Sequence, residues 1–274
     1  MAAVATDGDD TLDGTAGADT ISGLGGSDSI LLGDGDDLGY GRTGRDTLNG
    51  GAGDDTLYGG GGNDELRDEG GTDTFDGGAG NDTILLDSRG LTEIIYTLTV
   101  DLAAGTQGAS ELEGDDDLLI SIENYTYAGA FNTTISGNAG ANRLLSGAGT
   151  DALYGRDGAD LLKSGASADR LFGGNGNDRL QGGRGNDSQT GGAGADRFVF
   201  QTGDGRDRIN DFDAIGTVHD VLDIRGVSAV VNFLDLRTNH MAQVGENVVI
   251  RAGNDSIVLV NVKIGQLDAG DFLF

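Results

Sequence analysis

One apolar residue in nine falls on a fixed beat through the first third of the chain: Leu12, Ile21, Ile30, Leu48, Leu57, Leu66, Phe75 and Ile84, with Gly39 as the only break. Two places before each of these columns stands an aspartate, at Asp10, Asp19, Asp28, Asp37, Asp46, Asp55, Asp64, Asp73 and Asp82. Two places earlier still stands a glycine, from Gly8 through Gly80. A period of this kind marks a solenoid, whose units are each too small to bury a core alone. A second array keeps the beat in its own phase, with Leu144, Leu153, Leu162, Leu171, Leu180, Gln189 and Phe198 following Asn142, Asp151, Asp160, Asp169, Asp178, Asp187 and Asp196. Gln189 and Ser167 (in the glycine column) are its defects, and an offset copy at Gly205, Asp207 and Ile209 follows a two-residue slip.

Units such as Gly50–Tyr58 and Gly173–Gln181 open with six residues rich in glycine, asparagine and aspartate. Those residues suit a tight turn with positive φ angles and not a helix. The remaining three, with one apolar side chain in the middle, predict a very short strand that points this residue inward. Two units close one coil, and turns eighteen residues apart stack at the roughly 4.8 Å spacing of paired strands.

Stacking places Asp55 over Asp73 and Asp64 over Asp82. Unpaired rows of this kind repel and raise one another's pKa. A hard cation between successive turns removes the conflict and uses the carbonyls of the glycine-rich turn. Oxygen ligands without histidine or cysteine select calcium or magnesium, and a flexible cage built from the chain favours calcium. A disordered acidic linker is the plain alternative. It does not account for an apolar column held in phase, although it fits the metal-free chain. An EF-hand over Asp7–Asp13 is ruled out by Leu12, which stands where that loop needs glycine.

The unit G-G-x-G-x-D-x-(apolar)-x resembles the RTX family, and sixteen units hold its phase. The resemblance implies an all-β parallel β-roll, a right-handed solenoid that binds calcium between one turn and the turn eighteen residues on. It implies carbonyls from unit positions two and four of one turn and positions one and three of the next, with the position-six aspartates completing the shell. Carried over, the carbonyl ligands include Gly51, Gly53, Gly60, Gly62, Gly78 and Gly80, then Gly174, Gly176, Gly183, Gly185, Gly192 and Gly194. The carboxylates are the two aspartate columns and Asp207. One site takes Gly51, Gly53 and Asp55 with Asp68, Gly70 and Asp73, where Asp68 replaces the usual glycine. On the order of ten calcium ions are implied.

The formal charge of −29, from 46 acids against 17 bases, excludes a basic nucleic-acid-binding chain. Cysteine, proline and tryptophan are absent, so no disulfide framework exists and calcium is the available staple. No apolar run reaches the roughly 18 residues that span a membrane. The start Met1-Ala-Ala-Val-Ala-Thr-Asp7 lacks the charged and apolar parts of a cleaved signal. The end, Asp268-Ala-Gly-Asp-Phe-Leu-Phe274, resembles the uncleaved signal of type I ABC-transporter substrates, against the alternative of an ordinary final strand.

Four segments follow: residues 1–85 as a first array, 86–136 as a β insertion, 137–209 as a second array and 210–274 as a β cap. In the insertion, Tyr96, Leu98, Val100 and Leu102 alternate as a strand, Leu118–Tyr125 reads as another, and Phe131–Ile135 returns to phase with Thr133 at the aspartate position. It resembles insertions between RTX arrays and implies wider coils. Val221–Ile224, Val248–Ile250 and Ser256–Val260 are strand candidates in a segment that resembles the serralysin-type cap, which would cover an open strand edge. Asp211, Asp213, Asp220 and Asp223 are candidates for one further cation.

No catalytic constellation is found. His219 and His240 are not in H-E-x-x-H, and no serine lies in G-x-S-x-G. The expectation is a secreted calcium-binding module without its own chemistry, exported unfolded by a type I apparatus and folded by extracellular calcium. It would act as an adhesin-like or matrix element toward a surface glycan or protein. The alternative is the calcium-binding and secretion end of a larger enzyme such as an epimerase, lipase or protease.

Overall fold

The computed structural model describes residues 5–86, 97–102, 106–109, 117–127 and 129–274. It is an all-β solenoid of parallel sheets, and it divides into two compact units, Met1–Gly137 and Asn138–Phe274.

In the first unit, alternate repeats feed alternate sheets. Thr11–Asp13, Ser29–Asp34, Thr47–Ala52, Glu65–Asp68 and Thr83–Leu86 pair in parallel in one sheet. Thr20–Ser22, Leu38–Thr43, Thr56–Gly61 and Thr74–Ala79 pair in the other. Registers such as Leu12↔Ile30↔Leu48↔Leu66↔Ile84 join residues eighteen apart, as the two-unit coil requires. These side chains, with Leu57 and Phe75 opposite, are at most 2% exposed and form the core.

The strands are longer than the three residues expected. Thr47–Ala52 and its counterparts run for six residues, because the ladder continues through the glycines, as in Gly33↔Gly51 and Asp34↔Ala52. Positive φ at Gly51 (102°) bends the strand without ending it. Only three residues are left for the turn.

The insertion pairs in two directions. Thr97–Asp101 and Thr106–Ala109 are antiparallel, as are Thr106–Ala109 and Asp117–Ile120. Asp117–Ile120 returns to parallel pairing with Thr74–Ala79, and Asn124–Tyr127 with Thr83–Leu86. The single strand expected over Leu118–Tyr125 is therefore two, broken at Ser121, whose φ is +52°. Leu102 is buried, whereas Tyr96 lies outside the described residues.

The second unit repeats the plan with Arg143–Leu145, Leu161–Ala166, Arg179–Arg184, Arg197–Gln201, Val221–Gly226 and Phe272–Leu273 in one sheet. The other holds Ala152–Asp157, Arg170–Asn175, Ser188–Ala193, Arg206–Ile209, Asp255–Leu259, Asn247–Ala252 and Met241–Val244, with Asn247–Ala252 antiparallel to the strands on either side of it. The three cap strands expected are present. The chain end is built in as a strand, with Leu222↔Phe272 in register.

Candidate metal centre

Each position-six aspartate lies at the end of a turn, directly before a strand whose first N–H is tied to the turn eighteen residues earlier. Along each array, beyond its first turns, Oδ1 accepts the backbone N–H of the residue at the same position in that earlier turn. Asp28 Oδ1 takes the Asp10 N–H (2.9 Å), Asp46 that of Asp28 (2.8 Å), Asp64 that of Asp46 (2.9 Å) and Asp82 that of Asp64 (2.8 Å). The opposite row runs Asp19, Asp37, Asp55, Asp73 in the same manner. In the second unit Asn142, Asp160, Asp178 and Asp196 form one row, and Asp151, Asp169 and Asp187 the other. The expected stacking of Asp55 on Asp73 and Asp64 on Asp82 is the observed contact.

In the inner coils the second oxygen of many of these aspartates is left over. Oδ2 of Asp28, Asp37, Asp46, Asp64, Asp82, Asp160, Asp178, Asp187 and Asp196 is buried and accepts no hydrogen bond. Orphaned carboxylate oxygens of this kind are costly, since a buried charge demands a partner. Burial, reinforced by neighbouring carboxylates, pushes Asp46, Asp160, Asp178, Asp187 and Asp196 up to about 6. Burial likewise pushes Asp169 up to about 7 and Asp207 up to about 8. At Asp169 the hydroxyl of Ser164 partly offsets that rise.

Main-chain oxygens stand beside the orphans. A Cβ on Gly41, Gly59, Gly155 or Gly173 would overlap both the Oδ2 five residues on and the carbonyl of the glycine eighteen residues on. The position-one glycine thus leaves a space bounded by a carboxylate and a carbonyl. Carbonyl oxygens of Gly53, Gly60, Gly62, Gly174, Gly176 and Gly165 occupy the places that a Cβ on Gly71, Gly78, Gly80, Gly192, Gly194 and Gly183 would take. Gly51 and Gly185 lie under the carbonyls of Gly33 and Ser167 in the same way. In the site expected between Gly51, Gly53, Asp55 and Asp68, Gly70, Asp73, the turns do meet: Gly53 N–H donates to the Gly70 carbonyl (3.1 Å) and Asp55 N–H to Asp73 (2.7 Å). The Asp68 side chain lies outside the described residues.

The first coil differs. Asp10 Oδ2 accepts both the N–H (2.6 Å) and the hydroxyl (2.9 Å) of Thr6, and that hydroxyl also reaches the Gly8 carbonyl (3.4 Å). Thr15 does the same for Asp19 and Gly17. A threonine hydroxyl therefore bridges carboxylate and carbonyl in the first two units, at a position where later units carry glycine or another residue. Asn138 serves Asn142 comparably, accepting from its amide (3.0 Å) and donating its N–H to it (2.9 Å).

Two row members fall outside the nine-residue period. Glu123 Oε2 accepts the Asp82 N–H (2.9 Å), and Asp220 Oδ1 accepts the Asp196 N–H (2.9 Å). Asp207, which was expected, accepts that of Asp187 (2.9 Å). A second ladder also went unread: the position-five side chains of Asp9, Asp36, Asp54, Asn63, Asn177 and Asn186 accept N–H groups from the next turn. Its sequence signal is Asx at position five.

The cation expected among Asp211, Asp213, Asp220 and Asp223 is not supported. Asp223 is held by Arg197 (2.6 Å) and Arg225 (2.8 Å), Asp220 belongs to a row, and Asp211 accepts the Gly191 and Gly192 N–H groups. Among the described residues no three His, Cys, Asp or Glu side chains converge as a metal cluster. An ion in the rows would therefore rest on at most two carboxylates and on carbonyls. That donor set suits calcium, and the residues fit it.

A solved structure of the extracellular lipase LipA from Serratia marcescens is similar at 18% identity, with a TM-score of 0.34, over 91% of this chain and 40% of that one. The AlgE6R3 subunit of the Azotobacter vinelandii mannuronan C5-epimerase is similar at 22% identity, with a TM-score of 0.33, over 56% and 79%. The chain thus spans less than half the length of the lipase. No curated protein matches it. Residues 4–39, 33–66, 57–84, 127–162 and 163–198 match the RTX calcium-binding nonapeptide repeat (4 copies), and the chain belongs to that family.

Proposed function

We propose that this chain is a secreted module whose calcium-loaded fold is its working state, serving as a structural or binding element outside the cell. The observation that carries this reading is the row of buried Oδ2 atoms without hydrogen-bond donors. Calcium, when bound, supplies the positive charge those oxygens lack. Asp28, Asp46, Asp64 and Asp82, then Asp160, Asp178, Asp187 and Asp196, would hold it with glycine carbonyls of neighbouring turns. At cytosolic calcium the rows stay uncompensated, which keeps the chain unfolded for type I export. Extracellular modules bind calcium at about 10⁻⁴–10⁻³ M.

Far-ultraviolet circular dichroism during a calcium titration, with magnesium as the control, tests this. A cooperative rise of β signal with calcium alone is the expected result. A β signal unchanged by chelator would overturn the reading.

A further inference from the structure

Thirteen of the seventeen lysines and arginines fall in residues 138–274. The repeat dictates where five of them go: position seven, threonine in much of the first array, is Arg143, Arg170, Arg179, Arg197 and Arg208 in the second. Position seven alternates with the buried position eight, so its side chain faces outward. On one sheet, Arg179 and Arg197 are drawn to Asp223 together with Arg225. On the other sheet no acid pairs with these position-seven arginines among the described residues. There Arg170 pairs with Ser188 and Ser188 with Arg208, which sets the two arginines roughly 9.6 Å apart at two strand spacings. Arg206 lies two residues from Arg208 on the same face, and pairs with Ser256, which pairs in turn with Arg251.

All four of these arginines are exposed, and among the described residues none makes an ion pair, although Arg208 Nε donates to Asn210 Oδ1 (2.9 Å). Ser188 stands in register between Arg170 and Arg208, and Ser256 between Arg206 and Arg251, while Asn210 Nδ2 donates to Ser188 Oγ and Thr190 Oγ1 (both 3.0 Å). Asp207 points inward, and Asp255 is engaged by the Gly203 and Gly205 N–H groups. Tyr154 and Phe172 extend the face as a stacked pair with centroids 4.9 Å apart.

We infer that this outer face binds a linear acidic polysaccharide. Arginines without ion pairs, set two strand spacings apart, match carboxylate or sulfate groups that recur along a glycan, and the interleaved serine hydroxyls can still donate to its sugar oxygens. The chain's −29 charge does not cancel this, because exposed charges beyond about 10 Å are largely screened at 0.1 M salt. The same net charge opposes nucleic acid, whose phosphates are denser and offer fewer hydroxyls. The inference rests on the calcium-loaded fold proposed above.

The test measures binding of the calcium-loaded full chain to polygalacturonate, to heparin, to a neutral galactomannan and to duplex DNA, with circular dichroism confirming the fold of each variant. Binding to one or both acidic polymers and not to the neutral one is expected; which polymer binds distinguishes uronate from sulfate as the preferred group. The double variant Arg170→Ser/Arg208→Ser should bind at least tenfold more weakly, with its β signal intact, while Arg42→Ser in the first unit should bind as wild type. Unchanged affinity in the double variant would mean that calcium bridges the polymer, and would overturn the inference, as would absent binding by a folded chain or tighter binding to duplex DNA. A chain without β signal in calcium would instead refute the fold on which the inference rests.

Discussion

Leu32 occupies the space that a side chain on Gly39 would take: a Cβ on Gly39 would stand 2.9 Å from Leu32 Cδ1. Leu32 fills a position-one site that is glycine in most units, and it is fully buried. The two departures from the repeat are therefore one exchange, a leucine moved across the coil. Gly39→Leu alone overpacks against Leu32, Leu57 and Leu48, at about 1–3 kcal/mol. Leu32→Gly alone leaves a cavity, at about 2–5 kcal/mol. The double variant should recover about 0.5–3 kcal/mol of the summed loss. Urea unfolding in calcium measures all four; simple additivity would refute the exchange.

Gln189 sits in the apolar column between Leu171 and Ile209, fully buried, with Oε1 and Nε2 unpaired. Burying an amide without partners costs about 1–3 kcal/mol. Gln189→Leu should raise stability by about that amount, read as a higher urea midpoint in calcium. A lower midpoint would mean that the amide has a role that its surroundings do not reveal.

The repeat made the sheets, the core and most of the rows legible, because one period fixes register, burial and turn together. What it could not convey was any contact that leaves the period. Glu123 joins its row at a spacing of 41 residues and Asp220 at 24, since antiparallel strands and the cap loop intervene. Thr6 and Thr15 act through a hydroxyl at position two, where the pattern alone says only that glycine is missing. The six-residue strands were hidden for a related reason: glycine composition reads as turn, yet paired glycines with positive φ continue the ladder.

Asp223 carries a pH dependence of definite sign. Hydrogen bonds from Arg225 first, then Arg197, hold its carboxyl below the usual carboxylate range. The unfolded value is about 3.9. A depressed folded value contributes stability that is present above about pH 4 and is lost as pH falls below it. The stability difference between wild type and Asp223→Asn should therefore be constant above about pH 5 and shrink below about pH 4. Denaturant midpoints at fixed salt across that range check it, and a difference that grows on acidification would exclude the arginine cluster as its source.

Asp19 and Asp178 hold the same repeat position but should respond differently to loss of charge. Asp178 Oδ2 is buried without a donor, whereas Asp19 Oδ2 already accepts the Thr15 N–H (2.6 Å) and hydroxyl (2.8 Å). Asp178→Asn removes an oxygen that only a cation can satisfy, so it should reduce the number of bound calcium ions and raise the calcium midpoint of folding. A site at ten times its dissociation constant contributes about 1.4 kcal/mol, which sets the expected loss per ion. Asp19→Asn disturbs a local cap and should leave the calcium count unchanged. Equilibrium dialysis with calcium-45 counts the ions in each variant, and circular dichroism gives the midpoints. Equal losses of calcium in the two variants would show that the threonine bridge does not replace the ion in the first coil.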